Sequence, residues 1–152
     1  MYCPVILKGY DDFQKQTFHR FPGIFISENT RRIRAFVSLA NKDKYRDGIW
    51  TESIGRVPLQ RWTHVSFGFD KQKLEISING VLDSIQTLDG REVQGNSEKL
   101  YVGGHPSYSM GCKLVYYMDN LKVHNKLASQ FALEAETHSA LGTISPNQIM
   151  LG

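Results

Sequence analysis

Carboxylates, histidines and cysteines are the residues through which this chain could do chemistry, and their spacing argues against catalysis. Retaining hydrolysis of a glycosidic bond needs two carboxyl groups about 5 to 5.5 Å apart, which one strand supplies most economically at positions i, i+2 and i+4. Glu52 and Glu75 instead stand alone on their runs. The five histidines are scattered, and no Ser-His-Asp elbow, phosphate-cradling glycine loop or Cys/His metal spacing occurs. No enzyme is therefore expected. Asn41, Asp43 and Asp47 place three side-chain oxygens in one loop, a start toward the six to eight that calcium takes. Lys42, Lys44 and Arg46 oppose them, so no cofactor is required and calcium is the one candidate ion.

Recognition is better provided for. Arg32, Arg34 and Phe36 project together from one alternating run, where guanidinium groups suit sulfates and carboxylates and an aromatic ring offers a sugar an apolar face. His64, Ser66, Glu75, Ser77 and Asn79 share the non-core side of a second pair of runs. Tyr45, Trp50, His105, Tyr108 and Met110 lie in or beside rim loops, where a rigid scaffold concentrates binding residues. The candidate ligand-binding set is Arg32, Arg34, Phe36, His64, Ser77, Asn79, His105 and Tyr108. Each has a structural alternative: Arg31 and Arg32 as solvent-facing turn residues, Tyr108 and Met110 as a lid on the sandwich. Phe36 is either covered by another element or open to a ligand.

The elements that must position these residues are strands. Val65, Phe67 and Phe69 alternate with Trp62, His64, Ser66 and Gly68, and Leu74, Ile76 and Ile78 alternate with Lys73, Glu75, Ser77 and Asn79. Asn79-Gly80 then supplies the positive-φ pair of a tight hairpin. Val5-Ile6-Leu7, Ile24-Phe25-Ile26, Arg32 to Leu39, Ile49 to Ser53 and Leu100-Tyr101-Val102 read as further strands, and Cys112 to His124 as one long strand or two joined at Asp119-Asn120. Leu88 to Ser97 reads as a polar connection. One short helix is expected over residues 129–141, capped by Ser129 and ended by Gly142, followed by a tail over residues 143–152. Many short strands and one helix predict an all-β fold, a two-sheet antiparallel β-sandwich of jelly-roll type.

The 152 residues suit a single domain, with 41% hydrophobic and 22% charged residues giving an ordinary globular balance. A net charge of +3 aids approach to an acidic glycan but falls short of a nucleic-acid footprint. No apolar run reaches the roughly 18 to 20 residues of a membrane helix, and the opening MYCPVILKGYDD lacks the layout of a signal peptide, as expected of a mature or excised piece. Cys3 and Cys112 are the only cysteines. They form either one disulfide closing a long loop, which would place the domain in a secreted context, or two buried thiols.

Two stretches resemble the laminin G-like branch of the concanavalin A-like lectin and glucanase jelly rolls. In VPLQRWTHVSFGFDKQKLEISINGVL, residues 57–82, a tryptophan, a histidine and a valine lead into a strand and an Asn-Gly hairpin; LYVGG and MDNLKVHNKLA fall between residues 100 and 128. The resemblance covers most of the chain, and it implies core packing for Trp62 and His64 and a structural calcium role for Asp119, against the alternative that Asp119 caps a bend. The Glu-x-Asp-x-Glu strand of the related glucanases is missing here. No strand precedes Val5-Ile6-Leu7 where the family places one, so residues 1–152 are expected to form one domain without its first strand, a vacancy the tail could fill. The implied function is a non-catalytic recognition or adhesion module of a larger extracellular or surface protein, with carbohydrate as ligand; the basic residues Arg32, Arg34, Lys42, Lys44 and Arg46 favour an acidic glycan. The alternative is a structural or protein-interaction domain that binds no sugar.

Overall fold

The computed structural model describes residues 1–12, 17–40, 48–108 and 111–124. Eight strands run in chain order: β1 (Tyr2–Asp12), β2 (Thr17–Ser27), β3 (Ile33–Ser38), β4 (Gly48–Glu52), β5 (Val65–Phe69), β6 (Lys73–Ile78), β7 (Val81–Thr87) and β8 (Leu100–Val102). They form two antiparallel sheets, one ordered β4-β3-β2-β1-β8 and the other β5-β6-β7. The helix expected over residues 129–141, the tail, and the loop holding Asn41, Asp43, Tyr45 and Asp47 lie outside the described residues, as does Met110.

Period-two alternation builds the core as expected. Ile33, Ala35 and Val37 of β3 are buried, and with Cys3, Ile26 and Ile49 they meet Ile76 and Leu74 of the opposing sheet in two apolar clusters. Val65, Phe67 and Ile78 pack against the first cluster and Phe69 against the second. The β6–β7 hairpin turns at Asn79 and Gly80, with φ of 51° and 79°, the left-handed region a type I′ turn requires. Asn79 also closes the strand before it: its backbone N–H donates to the His64 carbonyl, and its Oδ1 accepts from the His64 N–H at 3.0 Å.

Three segments differ from expectation. The first two strands are far longer than the runs Val5-Ile6-Leu7 and Ile24-Phe25-Ile26, because β1 and β2 pair along their whole lengths and absorb Pro4, Gly9 and Pro22-Gly23 through two register shifts. The first shift, between Pro4 and Ile6, also turns Leu7 away from the face that Cys3 and Val5 occupy. The connection from Leu88 to Ser97 is not merely polar: Leu88 is fully buried, and Val93 bridges Leu39 and packs on the second cluster. The segment from Cys112 to His124 is no strand. Cys112 and Leu114 pack on the core and the Tyr116 hydroxyl donates to the Pro4 carbonyl at 2.8 Å, while Lys113, Val115 and Tyr117 face solvent. Cys3 and Cys112 form a disulfide, which resolves the cysteine question and ties this segment to β1.

Candidate recognition surface

Alternation in β3 sends Arg34 and Phe36 to the face of the five-stranded sheet that points away from the core, and cross-strand pairing chooses their neighbours. Arg34 lies opposite Glu52 and Phe25, and Phe36 lies opposite Trp50 and Gly23. The Arg34 guanidinium sits between two rings, 4.0 Å from the Tyr2 centroid and 4.1 Å from that of Trp50. Such stacking uses the planar cation against the electron-rich ring faces. Glu52 completes the group. One of its oxygens accepts the Tyr2 hydroxyl at 2.5 Å, and the other lies 3.5 Å from Arg34. Burial, followed by the bond to Glu52, raises the Tyr2 pKa, so the phenol stays protonated and donates. Trp50 remains 46% exposed, and among the described residues its indole N–H has no protein acceptor.

Further along the same face the surface is closed. Phe36 is only 9% exposed and forms a small cluster with Leu7 and Phe25, against which Tyr2 and Tyr108 pack. Arg20 covers it, its guanidinium 4.6 Å from the Phe36 centroid and 4.8 Å from that of Phe25. Asp11, whose side chain is fully buried, holds Arg20 through two bonds of 2.8 and 2.7 Å. The Tyr108 hydroxyl donates to the same carboxylate and accepts from Arg20 at 3.0 Å. Burial pushes the Tyr108 phenol far above its ordinary range, with the Asp11 carboxylate acting in the same direction and Arg20 against it. The 3₁₀ turn at Pro106–Tyr108 is thereby fastened over the sheet, with His105 between the rings of Tyr101 and Tyr108 at 4.5 and 6.2 Å. Of the two alternatives for Phe36, coverage holds, and Tyr108 folds back onto the sheet.

The remaining candidates do not join this group. Arg32 precedes β3, half-buried. His64 precedes β5, also half-buried; Ser77 is buried on β6; Asn79 forms the β6–β7 turn. Glu75 beside them is buried and bonded to Lys73 at 2.7 Å, so the far side of the central hairpin offers no open row of polar groups. Asp119 is exposed, and its Oδ1 accepts from the Asn120 N–H. Among the described residues no three His, Cys, Asp or Glu side chains stand together as metal ligands. Asp43 and Asp47 lie outside those residues.

Tyr2, Arg20 and Asp11 do not stand out in the sequence as site residues, Glu52 reads there only as a lone carboxylate, and Trp50 reads as a loop-rim residue. The alternation Tyr2-Cys3-Pro4-Val5 carries a signal for Tyr2. Nothing in the local sequence joins Arg20 to Phe36.

A two-layer antiparallel sandwich bearing aromatic and guanidinium groups on one outer face defines a binding scaffold. The chain belongs to the laminin G-like family of the concanavalin A-like lectin/glucanases superfamily, whose family model matches residues 11–131. Neither the curated proteins nor the solved structures gave a match. Domains of this family are generally non-catalytic binding modules for glycans or proteins and are typically extracellular. Among the described residues no helix is long and apolar enough to cross a membrane.

Proposed function

We propose that this domain is a non-catalytic recognition module of a larger extracellular or surface protein, and that it binds carbohydrate on the outer face of the five-stranded sheet. The observation that carries this reading is the stack of Tyr2, Arg34 and Trp50. A half-exposed indole on a strand, stacked against Arg34, has few rotatable bonds to order on binding and offers the apolar surface that sugar rings stack on. The Cys3–Cys112 disulfide supports an oxidising compartment. A non-catalytic role fits the carboxylates singled out from the sequence. Glu52 and Glu75 belong to different sheets and each is engaged by its own partners, far from the shared positioning that glycoside hydrolysis needs.

A glycan array probed with the wild-type domain tests the reading. Binding to a defined set of glycans supports it, and hydrolysis of a polysaccharide contradicts the non-catalytic role. Silence across the array favours a protein-interaction domain. That second reading has its own support in the exposed side chains Val115, Tyr117, Leu121 and Val123 of the segment after the disulfide. Calcium remains a candidate ligand of Asp119 or of the loop holding Asp43 and Asp47. Titration calorimetry on chelator-treated protein, with neither heat nor a shift in melting temperature, would remove it.

A further inference from the structure

We infer that the sugar seated on Trp50 is an uncharged pyranose, not the acidic glycan that the basic composition favours. This deepens the carbohydrate reading and rests on it. Arg34 and Arg20 on this face each already have a carboxylate partner, although Nε of Arg34 is buried without a hydrogen bond among the described residues. Arg34 is paired with Glu52 and held between two rings, and Arg20 is locked to the buried Asp11. A sulfate or carboxylate approaching Trp50 meets the Glu52 carboxylate within the same cluster. To capture Arg34 it must compete with Glu52, which would strand that carboxylate against Tyr2 with less positive charge to balance it.

An uncharged pyranose fits what remains open. Its axial C–H bonds form an apolar patch on one ring face, the natural complement of the exposed side of Trp50. Its hydroxyls can accept from the Trp50 indole N–H, which has no acceptor among the described residues, and donate to Glu52. Hexoses of the galacto type, which gather C–H groups on one face, and of the gluco type, whose equatorial hydroxyls leave both faces lined by axial C–H groups, match best. Arg34 then acts as a positioning residue, bracing the indole from beside it. Recognition of this kind rests on stacking and neutral hydrogen bonds, so ionic screening leaves it nearly untouched.

The test compares wild type, Trp50→Ala and Trp50→Phe on an array of neutral, sulfated and carboxylated glycans, followed by calorimetric titration of the strongest hit at about 50 and 500 mM salt. The expected result is a neutral hexose-based hit whose affinity changes by about twofold or less with salt. Trp50→Ala should weaken it about tenfold or more, with Trp50→Phe between the two. Trp50→Phe keeps an aromatic ring in the sheet, so the comparison survives if Trp50→Ala fails to fold. Preference for sulfated or carboxylated glycans with steep salt dependence overturns the inference while leaving the carbohydrate reading intact. Neutral binding indifferent to both Trp50 variants also overturns it. Silence of the wild type on every glycan defeats the carbohydrate reading, and this inference with it.

Discussion

Arg34 and Arg20 are chemically alike and lie on the same sheet face, yet their surroundings give them different work. Arg34 is a partly exposed brace, so Arg34→Lys keeps the charge but loses the planar stack on Tyr2 and Trp50 and should cost about 1 kcal/mol in urea unfolding. Arg20 is the counterion of a buried carboxylate. Arg20→Ala leaves Asp11 uncompensated and should cost about 3 to 5 kcal/mol, whereas replacing both residues with apolar side chains of similar size should cost far less. Equal losses in the single and double variants would refute this account of the pair. Tyr108 adds a pH dependence. Its folded pKa is raised, so its contribution to stability is fully present below the ordinary tyrosine value of about 10 and is lost as pH climbs toward the folded value. Alkaline unfolding should therefore be shallower in Tyr108→Phe than in wild type. Phe36 shows how far residue-level reading reaches. Its outward direction was legible from alternation in β3, but its cover comes from Arg20 and Tyr108, distant in sequence and brought there by pairing between strands.

Among the elements, the central hairpin was the most legible because every local signal agrees: alternation in β5 and β6, then the positive-φ pair Asn79-Gly80. Asn79→Ala keeps the strand pattern but removes the side-chain bond to the His64 N–H from a residue at positive φ. A loss of about 1 to 2 kcal/mol is expected, measurable by thermal denaturation. The β3–β4 pair has a different constraint. A Cβ on Gly48 would fall 1.8 Å from Cζ of Phe36, so Gly48→Ala must displace the ring and should destabilise by about 1 to 3 kcal/mol. β1 and β2 look shorter in the sequence than they are because Gly9 and Pro22-Gly23 resemble interruptions, and only full-length pairing overrides them. Residues 112–124 show the opposite: the sequence reads as strand where the chain joins no sheet. Alternation from Cys112 to Tyr117 reflects one side packed on the core and one side in water, a pattern that an extended segment shows without joining a ladder, and residues 118–124 are exposed throughout.

At the scale of the molecule, two sheets share one apolar interior, and the Cys3–Cys112 disulfide fastens β1 to a segment 109 residues further along the chain. Closing so long a loop restricts the unfolded chain strongly, and replacing both cysteines with serine should cost about 2 to 5 kcal/mol in reversible unfolding. The fold class was legible because it depends on patterning summed over many strands. The recognition surface was only partly so: Arg34 and Trp50 were noticed separately, but their stack with Tyr2 requires β1, β3 and β4 to be assembled in register. On the function proposed above, the ligand meets this outer face and not the β5–β7 sheet. The chain has two tryptophans, Trp50 half-exposed on that face and Trp62 with its indole nitrogen buried ahead of β5. Titration of the strongest-binding glycan into ¹⁵N-labelled protein, followed at the two indole N–H resonances, separates them. The Trp50 signal should move with saturation while that of Trp62 stays in place; a shift of Trp62 with Trp50 unmoved would put the ligand on the other sheet.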